Sequence, residues 1–123
     1  MIPKRVTLEN FLSFGEKQEI VFEEDHILWI IGGPNGSGKS TVFDAMTYCL
    51  FGTHRASGTR IKESDNHLIR HGCGGFQIGF EFEFQGIDYR IVRSRNRGSK
   101  RQPTPTVERR TREGKWERIP HVN

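Results

Sequence analysis

An α/β domain with more strand than helix is what these 123 residues predict, and three observations carry that reading. Ile27-Leu28-Trp29-Ile30-Ile31-Gly32 is a continuous apolar run closed by glycine, the pattern of a strand buried on both faces. Val42, Phe43, Met46, Cys49 and Leu50 recur at helical spacing, which lays one apolar stripe along a helix. Phe76, Ile78, Phe80, Phe82 and Phe84 alternate with Gln77, Gly79, Glu81, Glu83 and Gln85, the period of a strand with one buried face. A chain of this length holds one modest core, so residues 1–123 form a single domain. A doubly wound sheet needs several strand–helix–strand crossovers, and this chain has one strand–helix unit.

The elements follow in order. Val6, Leu8 and Leu12 are apolar at even spacing, with Lys4 and Asn10 as polar exceptions, so residues 4–12 predict a strand. Ser13-Phe14-Gly15 turns the chain and residues 18–22 return it. Glu23-Glu24-Asp25 is a short acidic turn into the buried strand. The helix starts at about Lys39 and ends at Phe51-Gly52, with Gly52 as a left-handed cap. Residues 52–66 are polar and irregular, and Asp65 is placed to cap a short helical turn through Leu68-Ile69-Arg70. After the Phe-rich strand, Gln85-Gly86 turns into an antiparallel partner begun by Ile87, Tyr89 and Ile91. The same odd face continues as Arg93, Arg95 and Arg97, which predicts a strand that runs off the core into solvent or onto a partner. Residues 96–105 form a basic, breaker-rich loop. Residues 106–112 and 115–119, joined through Glu113-Gly114, make a last hairpin.

Between the buried strand and the helix stands Gly33-Pro34-Asn35-Gly36-Ser37-Gly38-Lys39-Ser40, a complete G-x-x-x-x-G-K-[ST] phosphate-binding loop. Its glycines let the backbone fold into a nest whose N–H groups point at phosphate oxygens. Lys39 sets a compact charge on the β- and γ-phosphates, the Ser40 hydroxyl ligates Mg²⁺, and the helix behind adds the positive end of its dipole. Strand, loop and helix come in the order this site requires, so a nucleoside triphosphate with magnesium is the expected ligand.

Bulk properties narrow the setting. Apolar content is 33%, charged content 28% and formal net charge +4. No apolar stretch approaches the roughly 20 residues that span a bilayer, and the start, Met1-Ile2-Pro3-Lys4-Arg5, lacks a signal-peptide core. Two cysteines, Cys49 and Cys73, do not make a disulfide framework, which predicts a reducing, cytoplasmic setting, nuclear in a eukaryote. Charge is unevenly placed. Residues 1–89 hold 8 Lys/Arg against 12 Asp/Glu, a balance of −4, and residues 90–123 hold 11 against 3, a balance of +8. The basic region at about 90–119 predicts a polyanionic partner, with Arg93, Arg95, Arg97, Lys100 and Arg101 as candidate DNA-phosphate contacts. The opposing reading is a solvated hairpin kept soluble by its charge. His67, His71 and Cys73 sit within seven residues of one another beside Gly72, Gly74 and Gly75 but lack structural-zinc spacing.

Asn10-Phe11-Leu12-Ser13-Phe14 ahead of the apolar strand, then Asn35 to Thr41, Phe43-Asp44-Ala45 and Leu68-Ile69-Arg70-His71-Gly72, resemble the N-terminal half of the SMC-like DNA-repair ATPases. The SbcC type, the ATPase component of a double-strand-break repair nuclease complex, is the best match, and RecF-type repair ATPases begin similarly. The resemblance implies a P-loop NTPase fold: the N-terminal lobe of an ABC-type ATPase head, with mixed and antiparallel strands around one P-loop strand–helix unit. It implies Asn35 to Ser40 on the phosphates of ATP, Ser40 also on Mg²⁺, and Thr41 near the α-phosphate. The implied partners are the C-terminal half of the same head, a second head in an ATP-dependent dimer, a repair nuclease and DNA, with no membrane role.

Departures from the family pattern are as informative. Relatives often carry a basic residue where Leu12 stands. No Walker B strand, signature motif or zinc hook is visible, and none of Gln18, Gln77, Gln85 or Gln102 suits the glutamine loop. Asp44, one turn into the helix, is better placed to pack or cap than to orient water. The chain therefore reads as a piece that hydrolyses ATP negligibly by itself and stops short of the glutamine loop. Two other classes stay open: a self-contained P-loop kinase or NTPase, which needs a second catalytic segment, and a basic nucleic-acid-binding module with a vestigial loop.

Overall fold

In the computed structural model, residues 1–12, 14–22, 39–52, 66–98 and 103–120 are described, apart from the side chains of Lys39 and Ser40. Among the described residues six strands form one sheet: β1 (Ile2–Glu9), β2 (Gln18–Val21), β3 (Gly75–Phe84), β4 (Ile87–Asn96), β5 (Thr106–Arg110) and β6 (Trp116–Arg118). Their order is β2-β1-β3-β4-β5-β6, antiparallel at every pairing among the described residues. The helix α1 (Lys39–Phe51) lies against β3, β1 and β4. The expected buried strand at residues 27–32 lies outside the described residues.

Alternation decides which face is buried. Phe76, Ile78, Phe80 and Phe82 are buried together with Val6 and Leu8 of β1, and Phe84 emerges at the strand's exposed end. Register aligns the apolar rows: Val6 faces Phe80, Leu8 faces Ile78, Ile91 faces Phe80 and Tyr89 faces Phe82. Phe76 makes T-shaped ring contacts with Phe11, centroids 5.1 Å apart, and with Tyr48, 5.7 Å apart. Phe82 stacks on Tyr89 at 5.7 Å. The β3–β4 turn places Gln85 (φ 52°) and Gly86 (φ 80°) both in the left-handed region, the two-residue turn that matches strand twist. The closing hairpin forms as expected, with Thr111 N–H donating to Lys115 O at 2.7 Å.

Two expectations are corrected here. The first strand ends at Glu9 rather than continuing to residue 12, because Asn10 (φ 57°) and Leu12 (φ 53°) are left-handed. Phe11, not Leu12, is then the fully buried residue. The loop is stitched to residues 66–70 instead: Leu12 N–H donates to Leu68 O and Arg70 N–H to Asn10 O, each at 2.8 Å. Gly15 belongs to the same junction, since the Arg70 guanidinium occupies the space a Cβ would need. On α1 the apolar stripe is displaced. Val42, Ala45, Tyr48 and Cys49 are buried, Met46 and Leu50 are partly covered, and Phe43 is 55% exposed. Apolar residues surround this helix, so spacing alone does not say which face the sheet takes.

Candidate functional site

α1 begins at Lys39, directly after the glycine-rich run, so Lys39, Ser40 and Thr41 form the first turn of a 13-residue helix. The first four backbone N–H groups of a helix have no intrahelical acceptor, and the dipole places partial positive charge there. No acidic residue stands in that first turn to compete for it. Gly33 to Gly38 lie outside the described residues, as do the side chains of Lys39 and Ser40. Asp44, a turn further on, is buried, in keeping with a packing or local hydrogen-bonding role.

The other end of α1 is equally defined. Gly52 (φ 71°) closes it in the left-handed cap conformation, with its N–H donating to Tyr48 O at 2.7 Å. Arg93 of β4 donates Nε–H to Cys49 O at 2.8 Å. Burial pushes the Cys49 thiol up to about 12, the nearby Arg93 charge acting the other way. Cys49 and Cys73 are both free thiols.

The arginine row of β4 does not run into solvent along its length. The strand stays paired with β3 to the Gly75–Asn96 position. Arg95 is 9% exposed and donates Nε–H to Asn66 Oδ1 at 3.0 Å. Arg97, which is exposed, donates to Cys73 O at 3.2 Å. Arg93 and Arg95 are thus directed into the fold, while Lys100 and Arg101 lie outside the described residues. The pattern carries a signal for this: they occupy the same inward positions as Tyr89 and Ile91.

Much of the remaining basic charge is matched locally. On the sheet face away from α1, Arg90 meets Glu108 at 2.9 Å, and Arg5 meets Glu19 at 3.1 Å and Glu81 at 3.4 Å. Trp116 lies between two guanidinium groups, Arg90 at 4.3 Å and Arg110 at 5.5 Å from its ring centre. A hollow of about 470 Å³ opens there beside Lys4, Asp88 and Trp116. His67 and His71 border a second open hollow of about 420 Å³ with Leu12, Asn66, Ile69 and Arg97. Among the described residues no three His, Cys, Asp or Glu side chains converge as metal ligands. No described helix is long and apolar enough to cross a membrane.

Comparison with known proteins bears on this arrangement. A family model described as an AAA domain matches residues 5–119. The SbcC polypeptide of the SbcCD nuclease from Deinococcus radiodurans is 37% identical over 98 residues, covering 79% of this chain and 10% of the relative. Its Staphylococcus aureus counterpart is 41% identical over 101 residues, covering 80% of this chain and 9% of the relative. The chain thus spans about a tenth of the length of these relatives. An SMC head domain from Thermotoga maritima superposes with a TM-score of 0.54 at 23% identity, over 96% of this chain and 39% of that one. That last likeness is one of fold.

Proposed function

The chain belongs to the AAA-domain family, and from that premise and its likeness to the SbcC polypeptides we propose that it is the Mg-ATP-binding part of an SMC-like, SbcC-type ATPase head. The head would act with a partner nuclease in DNA double-strand-break repair. The observation that carries the reading is the start of α1 at Lys39, immediately behind the Gly33 to Gly38 run. Free backbone donors, a helix dipole without a competing carboxylate, a lysine and a hydroxyl fit a magnesium-bound triphosphate. Asn35 to Ser40 would hold the phosphates, Thr41 would lie beside the α-phosphate and Ser40 would ligate Mg²⁺. The metal, once bound, neutralises charge on the phosphate oxygens.

Water attack on a phosphate also needs a group that orients the water. Asp44 is the acidic residue of α1, and its burial argues against that role. We therefore propose that ATP turnover requires further polypeptide, the C-terminal half of the head, and that ATP joins two heads. The second apolar side of α1 supports this, because a helix apolar all round is normally covered all round. Contact with DNA is assigned to Arg97, Lys100 and Arg101, since Arg93 and Arg95 are engaged within the fold. The setting would be cytoplasmic.

Equilibrium binding and turnover of Mg-ATP by the purified chain test the reading, with Lys39→Ala as control. Binding that weakens about tenfold or more in Lys39→Ala, the size of one lost charge–phosphate interaction, with background turnover in both proteins, is the expected result. Turnover abolished by Lys39→Ala would identify a self-contained enzyme. Absence of nucleotide binding would overturn the assignment itself.

A further inference from the structure

α1 is held to the sheet by two kinds of contact. Val42, Ala45, Tyr48 and Cys49 supply apolar burial, which is non-directional. Arg93 supplies something different. Its Nε–H reaches Cys49 O, one of the last four carbonyls of α1, which helix geometry leaves without an intrahelical donor. The last turn of α1 contains no basic residue of its own, so the cation that complements the helix terminus comes from β4. Gly52 leaves room for it: a Cβ there would sit 3.2 Å from an Arg93 Nη atom. A charge-assisted bond from a planar guanidinium fixes distance and direction together.

The residues at the other end of this helix are those proposed to meet phosphate. A helix is stiff, so the orientation imposed on its last turn sets where its first turn points. We propose that Arg93 is a positioning residue for the nucleotide site: its clasp on the last turn of α1 holds the Lys39 and Ser40 end in the orientation that receives the phosphates. This inference rests on the nucleotide-binding reading above. Arg95 and Arg97, tied to Asn66 and Cys73, extend the same fastening along the segment that leads into β3.

The test compares Mg-ATP affinity, read with a fluorescent ATP analogue, for the purified chain and five variants, Lys39→Ala among them, well below the melting temperature of each. Arg93→Gln is expected to weaken binding about fivefold while staying folded, the scale of one charge-assisted bond at a helix end. Arg93→Lys, which keeps the charge without the fork, should recover part of that loss. Gly52→Ala, which crowds the guanidinium and strains the left-handed cap at the same helix end, should also weaken binding. Arg109→Gln, on an exposed pair with Glu117, should leave it unchanged. A folded Arg93→Gln that binds as tightly as the parent, while Lys39→Ala does not, would overturn the proposal. If Arg93→Gln fails to fold, Arg93→Lys and Gly52→Ala are judged by the same criterion. If the parent binds no nucleotide, the functional reading is what has failed, and hydrogen exchange of amides 43–47, the first that the helix itself protects, then decides. Faster exchange in Arg93→Gln supports positioning, and unchanged exchange overturns it.

Discussion

Cys49 combines complete burial with a cation beside its own carbonyl, and burial dominates its titration. Its thiol pKa rises from 9.0 to about 12, so the folded chain keeps a proton that the unfolded chain gives up. Unfolding in that window releases a proton, and stability from this group is therefore full below pH 9 and falls as pH rises towards about 12. Urea midpoints measured at pH 8, 10 and 11 should decline, and the decline should be shallower in Cys49→Ala. Reagent must reach the sulfur, so iodoacetamide at pH 8 should label the partly exposed Cys73 in the native protein. Labelling of Cys49 should require denaturant, as intact mass would show by one adduct against two.

The sheet elements differ in how openly the sequence announces them. β3 is legible residue by residue because period-two alternation is unbroken from Phe76 to Phe84. Its turn is equally open, and because β3 and β4 are the inner pair of the sheet, strain there reaches the whole structure. Gly86→Val places a β-branched residue at φ 80° and should cost on the order of 1–3 kcal/mol, read as a lowered urea midpoint. The limits of α1 are readable from Lys39 and Gly52, but its orientation is not, since Val42 and Phe43 are equally apolar and only packing separates them. Residues 10–12 read as strand because Leu8 and Leu12 share a parity. The left-handed Asn10 and Leu12 answer to hydrogen bonds with residues 66–70, a partner far away in sequence. Composition misleads on Arg93 and Arg95: their charge suggests solvent, while their place on the inward face means carbonyl and amide partners; Arg97, just past the end of β4, is exposed. For the site, the phosphate motif is fully legible, and the clasp at the opposite end of its helix is not. That contact joins residues 49 and 93 through geometry alone.

At the scale of the molecule, two surfaces contrast. The sheet face away from α1 is laced with cross-strand ion pairs, which suits exposure to water. The outer side of α1 is apolar, with Phe43 55% and Phe51 69% exposed. Rings left in water favour association, so the chain should show concentration-dependent self-association in sedimentation equilibrium. The double variant Phe43→Gln, Phe51→Gln should shift it towards monomer without unfolding it, and an unchanged mass distribution would count against that face. The strand order carries a further consequence. β1 and β2 pair with each other early in the chain, and β3 with β4 late, yet β1 and β3 are neighbours. The segment bearing the phosphate motif is thus the long closure between two local hairpins. Each hairpin forms on a timescale of about 1–10 μs, whereas joining them waits on the entropy of that closure. The pace at which the chain folds is then set by the stretch proposed to bind nucleotide, so insertions there would slow assembly before they touched the chemistry.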